Sequence, residues 1–366
     1  MIINFDDFLV SFLLKRENEQ QDVFFDGGHN GLYNDPETPI RNTCHYMILY
    51  SYLYKKTNNE DYFKKLQSLE VYVLDNYYYG YSYECRNKEN KDKSNGLIGT
   101  AWLSEGLLES YQITKNEKIL KRLTSIYLKF NFDEKEGVWD TIVEPNGAIL
   151  TMDRTLNHQI WFAAGLAKLL FFQDSNLLRI HLDLFISKLP KLIKFSNNGL
   201  IYHTLGISKQ YLRTKIKRLI KPKYGKEMIV KEVGYQCFNL LGLLILDKYS
   251  NSSFLESNYI RKAILKMDDI NFNNCLNNNK FAYPYNPVGI ESAVIYSYFD
   301  REKVIEKLNK QFSETWSNVD FGFSNSTDYL TLNARFYEII YLNPDFFSKL
   351  FFDIEQGKWC LNKKNI

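Results

Sequence analysis

Six segments of this chain are apolar around nearly the whole of a helical turn, and no other feature limits its fold as strongly. They read TPIRNTCHYMILYSYLY, SNGLIGTAWLSEGLLESY, TLNHQIWFAAGLAKLL, GYQCFNLLGLLIL, PVGIESAVIYSYF and TLNARFYEIIYL. A helix apolar on every face must be surrounded by protein, whereas one with a charged face lies at the surface. The intervening segments are of the second kind, as in EDYFKKLQSLEVYVLD and EKILKRLTSIYLKF. Periodicity predicts helices over 4–17, 39–56, 59–76, 96–113, 116–130, 155–173, 176–193, 234–249, 253–268, 288–299, 301–313 and 330–342. A buried helix paired repeatedly with a surface helix is a period of helical hairpins. Six hairpins closing on themselves give an all-α (α/α)6 toroid, with the buried helices around a central cleft. We expect one domain over 1–366, with a basic loop insertion at about 205–230.

Composition removes several other classes. Net charge is +3, so nothing points to a nucleic-acid partner. The five cysteines lack CxxC spacing and fit free thiols in a reducing compartment, hence a cytoplasmic location. MIINFDDFLVSFLLKRENEQ carries Asp6 and Asp7 within its apolar run and reads as an amphipathic helix rather than a signal peptide. No P-loop or dinucleotide fingerprint is present, and no metal-ligand spacing joins His45, His158 and Asp153; no cofactor and no metal are expected.

Long segments precede three of the buried helices: YYYGYSYECRNKENKDKSN, FDEKEGVWDTIVEPNGAILTMD and NFNNCLNNNKFAYPYNP. The second holds two β-rich runs around EPNG, a hairpin that delivers the chain onto a helix at Asp153. The helix starts themselves are polar, which is costly at buried positions unless the groups are paired or face a ligand. Arg41, Asn42 and His45, then Asn95, then Asn157, His158 and Gln159, then Tyr235 and Gln236, then Tyr285, Asn286 and Glu291, and finally Asn333 and Arg335 occupy such places. Either they cap helices and bond one another, or they line the cleft as substrate-binding groups, with Trp102 as an aromatic wall. Helix N-termini favour anions, and Arg86, Lys88, Lys91 and Lys93 add the same sign. An acidic sugar is the expected ligand, its carboxylate held by Arg41, Arg86 and Arg335. The stretch SKQYLRTKIKRLIKPKYGK intersperses apolar residues among cations. It is either a solvated helix or, over 208–226, a dock for an anionic membrane.

TMD, with Asn157 one turn on and WFAA beyond, resembles the helix entrance of unsaturated glucuronyl and rhamnogalacturonyl hydrolases, members of the six-hairpin glycosidases. TPIRNTCHY, YSYECRNKENKDKSNGLIGTAW and LNHQIWFAA resemble the AglQ-type proteins of N-glycosylation and surface-polysaccharide clusters, over most of the chain. The first resemblance implies that Asp153 protonates the 4,5 double bond of an unsaturated uronic acid and then activates water. Those hydrolases carry a second Asp where this chain has Asn95, an amide that cannot ionise. Asp92 stands three residues earlier, and His158 or His45 offers proton transfer near neutral pH instead. His29, in FFDGGHNGLYND, is placed at the rim of the cleft or in a turn. The readings open at this point are a uronyl-hydrolase-like enzyme, a sugar epimerase or lyase on the same toroid, and a non-catalytic glycan-binding or assembly protein.

Overall fold

The computed structural model describes residues 1–250 and 252–361. Its elements run β1 (Ile2–Asn4), α1 (Phe5–Glu17), α2 (Ile40–Thr57), α3 (Glu60–Asp75), α4 (Gly96–Thr114), α5 (Glu117–Tyr127), β2 (Phe132–Asp133), β3 (Val138–Ile142) and β4 (Ile149–Met152). There follow α6 (Leu156–Phe172), α7 (Asn176–Leu192), α8 (Ser208–Ile220), α9 (Pro222–Ser250), α10 (Asn258–Lys266), α11 (Ile270–Leu276), α12 (Val288–Phe299), α13 (Val304–Thr315), α14 (Tyr329–Ala334), β5 (Leu350–Asp353) and β6 (Lys358–Leu361). The chain divides into two compact units. One comprises Met1–Asn76, Glu105–Lys115 and the chain from Tyr283 onward; the other comprises Tyr77–Ser104 and Asn116–Ala282.

In the first unit, α2 is buried on every face from Ile40 to Leu53 and ends where Asn58 turns left-handed at φ 51°. Its partner α3 is capped by the Asn59 side chain and buries only the stripe of Leu66, Leu69, Val73 and their neighbours. The second half of α4 lies close to α2. A Cβ on Gly106 would stand 2.3 Å from the Cys44 carbonyl oxygen, so a larger residue would push the helices apart. Helix α12 is buried from Val288 to Ser297 and pairs with the amphipathic α13. The chain ends meet in the antiparallel sheet β1–β5–β6, with Phe352 opposite Trp359. Phe8 of α1 contacts Phe312, Trp316, Phe352 and Trp359 in one aromatic core.

The second unit is centred on α6, buried continuously from Ile160 to Leu170 and packed on the apolar half of α9. By length and composition α9 is able to cross a membrane, yet 78% of its most apolar window is buried in protein, so it is a core helix. The expected hairpin forms as β3–β4 around Glu144–Gly147, with β2 on its outer edge and a register shift between Asp140 and Ile142.

Three expectations need amendment. The basic insertion is not a loop: α8 covers most of it and leads through Lys221 into α9. The single hairpin is joined by the β1–β5–β6 sheet, in which β1 from the start of the sequence pairs with β5 from near its end, a pairing without any local signal. The helix expected over 330–342 tightens after Ala334 into a 3-10 turn over Arg335–Tyr341.

Candidate active site

The β4 strand ends one residue before Asp153, and α6 begins three residues after it. The Asp153 carboxylate is therefore held between a sheet and a buried helix. Its Oδ1 accepts from the Thr155 N–H at 2.9 Å, and the Asp153 carbonyl accepts from Gln159 Nε2 at 2.8 Å. Gln159 also clamps both backbone groups of Trp139, at 3.0 and 2.8 Å, locking hairpin to helix. Oδ2 of Asp153 meets His158 Nδ1 at 2.8 Å. Burial pushes the Asp153 carboxyl up, but the His158 charge and hydrogen bond, with bonds from Thr155, outweigh this and hold it below the usual carboxylate value. An ionised carboxylate only accepts, so Nδ1 of His158 carries the proton and Nε2 is left as the reactive nitrogen. The imidazole is also the more open of the two, 28% exposed against 10% for the Asp153 side chain.

The first residue of α4 lies against this pair. Gly96 has φ +59°, and a Cβ there would stand 2.9 Å from Thr141 Oγ1 and 3.4 Å from Asp153 Oδ2. Ser94 Oγ bridges the turn, donating to the Ile142 carbonyl and accepting from Gly96 N–H. A helix N-terminus beside the carboxylate reinforces its ionised state.

On the other flank runs the segment after α7. Thr155 bridges Thr204, and Leu156 N–H donates to the His203 carbonyl at 2.9 Å. His203 is held well below the usual imidazole value by burial first, then by the charges of Lys231, His158 and Arg218. Its Nδ1 is buried with no hydrogen-bond partner, and its ring lies 5.2 Å from that of Tyr235. Glu232, fully buried, accepts from His203 N–H at 3.2 Å and pairs with Arg218. Lys231 lies over Tyr235 and Phe281, and burial lowers its ammonium. A half-buried ammonium beside a neutral imidazole suits an anionic ligand group. None of His203, Thr141, Lys231 or Glu232 was singled out in the sequence, since they lie away from the polar helix starts that drew attention.

Of the expected site residues, Arg86, Lys93, Asn95, Trp102, Asn157, Tyr235 and Gln236 share this second unit with the dyad and Gln159. Asn95, left-handed at φ 56°, and Asn157 are buried, with Nδ2 and Oδ1 respectively unpartnered. Arg86 binds Asp92, through the Asp92 carbonyl at 2.7 Å and its carboxylate at 2.6 Å, so Asp92 is occupied as a counter-ion. The Lys93 carbonyl accepts from the Cys85 and Arg86 amides. Gln236 is spent on the backbones of Ile201, Gly199 and Ala263. Trp102 is buried, and Trp161 belongs to the core, stacked on Phe238.

The first unit holds Arg41, Asn42, His45, Tyr285, Asn286 and Arg335. Arg335 bonds Asn286 at 2.6 Å, Glu291 at 2.7 Å and Glu338 at 2.8 Å, all four buried. Burial, then repulsion from Glu338, raises the Glu291 carboxyl; burial raises Glu338. Arg41 pairs with both Glu37 oxygens at 3.0 Å. The His45 ring lies tilted at 30° and 4.3 Å from that of Tyr337, and it is kept neutral by burial and by Arg41 and Arg335. Asn42 donates to the Asp26 carbonyl, and Tyr285 to Asn30. His29 is tied to Thr327 and Gly31 carbonyls. Thus each guanidinium expected to hold a sugar carboxylate already holds a protein carboxylate. Among the described residues no group of three or more His, Cys, Asp or Glu is placed to hold a metal ion.

No family model matches the chain. It is 30% identical over 346 residues to archaeal glycosylation protein Q of Haloferax volcanii, across 87% of this chain and 92% of that protein. Its fold is similar to cellobiose 2-epimerase from Bacillus thermoamylovorans, with TM-score 0.60, 13% identity and coverage of 92% of this chain and 99% of that one. It is also similar to D-mannose isomerase, at TM-score 0.56 and 16% identity over 92% and 98%. An unsaturated glucuronyl hydrolase specific for heparin matches at TM-score 0.56 and 12% identity over 92% and 94%. At these identities the structural likeness establishes the fold, the all-α (α/α)6 toroid.

Proposed function

The chain belongs to the family of archaeal glycosylation protein Q, and from that premise we propose a carbohydrate-active enzyme that processes an acidic sugar unit of a glycan. The observation that carries the proposal is the 2.8 Å bond between Asp153 and the more exposed His158. In this reading His158 Nε2 gives or takes the proton at the sugar, and ionised Asp153 orients the ring and stabilises its charged form. Asp153 thereby changes from the acid/base expected by resemblance into the group that positions one. Lys231 and the amino end of α4 supply positive potential for the substrate carboxylate. The reducing cytoplasm suits the five free cysteines.

Two reactions fit this machinery. In hydration of an unsaturated uronide, His158 protonates the 4,5 double bond and then activates the water that adds. In epimerisation, an imidazole removes a proton from a carbon and one is returned on the opposite face. The first is supported by the Asp153 placement shared with the hydrolases it resembles. The second is favoured by neutral Asn95 and by His203, an imidazole with a free buried nitrogen beside the dyad. Incubation in deuterium oxide with an unsaturated uronyl disaccharide, and with its saturated counterpart, tests the proposal. Loss of the double-bond absorbance supports hydration; deuterium entering the saturated sugar supports epimerisation. Sugar binding with neither change sinks the enzymatic reading and leaves a glycan-binding protein.

A further inference from the structure

Helix α8 turns its apolar side outward. Leu212, Ile216, Leu219 and Ile220 follow the i, i+4, i+7, i+8 pattern of one helical stripe, and they are 56%, 46%, 77% and 71% exposed. The side that faces protein is instead Tyr211, Thr214 and Arg218, at i, i+3 and i+7. Tyr211 lies against Tyr202, and Arg218 lies over the Tyr202 ring and pairs with buried Glu232. A surface helix ordinarily buries its apolar stripe, so this helix has its polarity reversed. On α9, Ile229 and Val230 are likewise exposed, at 48% and 37%.

Charge identifies what covers it. Arg213 and Lys217 flank the stripe on one side and Lys215 on the other; Lys221, Lys223 and Lys226 follow, all exposed, against Glu227 alone. A second copy docking through this face would set like charges against like. We propose that α8 and the start of α9 bind the surface of an anionic lipid bilayer, the four apolar side chains entering the headgroup boundary and the flanking cations meeting lipid phosphates. Glu232 joins Arg218 on the inner side of α8 to the His203 amide, so the docked helix is anchored beside the candidate active site.

Flotation of the full chain with vesicles of phosphatidylglycerol and phosphatidylcholine, against phosphatidylcholine alone, tests this. Binding should require the anionic lipid and fall steeply with added salt. Lys215→Gln with Lys217→Gln should weaken partition by roughly 25-fold, taking about fivefold per cation. Leu212→Ser with Leu219→Ser, at exposed positions that leave the fold intact by circular dichroism, should weaken it at least tenfold. The double bond or deuterium readout on soluble sugar should be unchanged in both, which separates this proposal from the reading of the active site. It is overturned by equal binding to both vesicles, by no binding to either, or by a concentration-dependent dimer that Leu212→Ser with Leu219→Ser dissociates.

Discussion

The two units each contain a cluster of acidic and basic groups, and the clusters differ in what stays open to solvent. In the first, Arg335 pairs with Asn286, Glu291 and Glu338 out of contact with water, and one oxygen of each carboxylate keeps no partner. In the second, Asp153 is satisfied by Thr155 and His158, the His158 side chain is 28% exposed, and His203 and Asn157 keep unpartnered atoms. A buried charge needs its partner to exist at all. A reactive group needs a partner on one side and vacancy on the other. By that criterion the second cluster, and not the sealed first, is where the proposed chemistry belongs.

The largest expected effect tests the second half of that distinction. His158→Gln removes the proton-transferring nitrogen and should lower turnover by about 10²–10⁴, the usual weight of a general acid–base. Asp153→Asn should fall in the same range, because the amide offers an N–H where Nδ1–H needs an acceptor. In both variants the melting temperature should shift little, as the dyad is partly open. Turnover of Asp153→Asn equal to wild type would reduce Asp153 to a helix-start residue.

Arg335→Met tests the first half. It strands two carboxylates that burial already biases toward protonation, and comparable buried pairs cost about 3–5 kcal/mol when broken. Groups whose folded pKa is raised lose stability as pH rises through that value. The deficit of the variant, measured by urea unfolding, should therefore shrink from pH 8 toward pH 5. A variant as stable as wild type at pH 8 that has lost sugar binding would return Arg335 to the ligand site.

These contrasts also mark how far the sequence was legible. The all-round apolar character of α2, α6 and α12 and the turn at EPNG gave the hairpin repeat directly, since burial and turn chemistry are local. Arg335, Asn286 and Glu291 stood out as buried polar residues, but their pairing spans 49 and 44 positions, and polarity alone does not say whether the partner is protein or ligand. His158 and Asp153 were each visible; their bond depends on how the β4 end meets α6. His203 was invisible, because an extended bridge between Thr155 and Thr204 brings it to the site.

A smaller effect concerns the floor beneath the dyad. Gly96→Ala places a methyl 2.9 Å from Thr141 Oγ1 and imposes a left-handed conformation on a residue with a side chain. The cost in stability should be about 1–3 kcal/mol. Turnover should also fall, since the methyl presses on Asp153 Oδ2. Thr141→Ser keeps the hydroxyl and relieves little, whereas Thr141→Gly should restore part of the stability of Gly96→Ala. Full activity in Gly96→Ala would show that the close approach is packing alone.

The smallest expected effect uses pH to compare the two histidines that the units hold neutral. Burial depresses His45, helped by Arg41 and Arg335, and depresses His203, helped by Lys231, His158 and Arg218. Above the unfolded imidazole value of about 6.5 both states are neutral and neither histidine makes stability depend on pH. Below it the unfolded chain takes up protons that the folded chain refuses, so stability falls with acidification until the folded values are reached. Each histidine contributes at most about 1.4 kcal/mol per pH unit. Unfolding at pH 7 and pH 5.5 should show a shallower loss in His45→Gln than in wild type, because glutamine does not titrate. His203→Gln should flatten the loss likewise, unless an anionic ligand occupies the site and raises the His203 pKa. Added uronate should therefore reduce the acid loss through His203 in the wild type and in His45→Gln, but not in His203→Gln. An equal uronate effect in His203→Gln would place the ligand elsewhere, and the vacancy at the second cluster would lose its meaning.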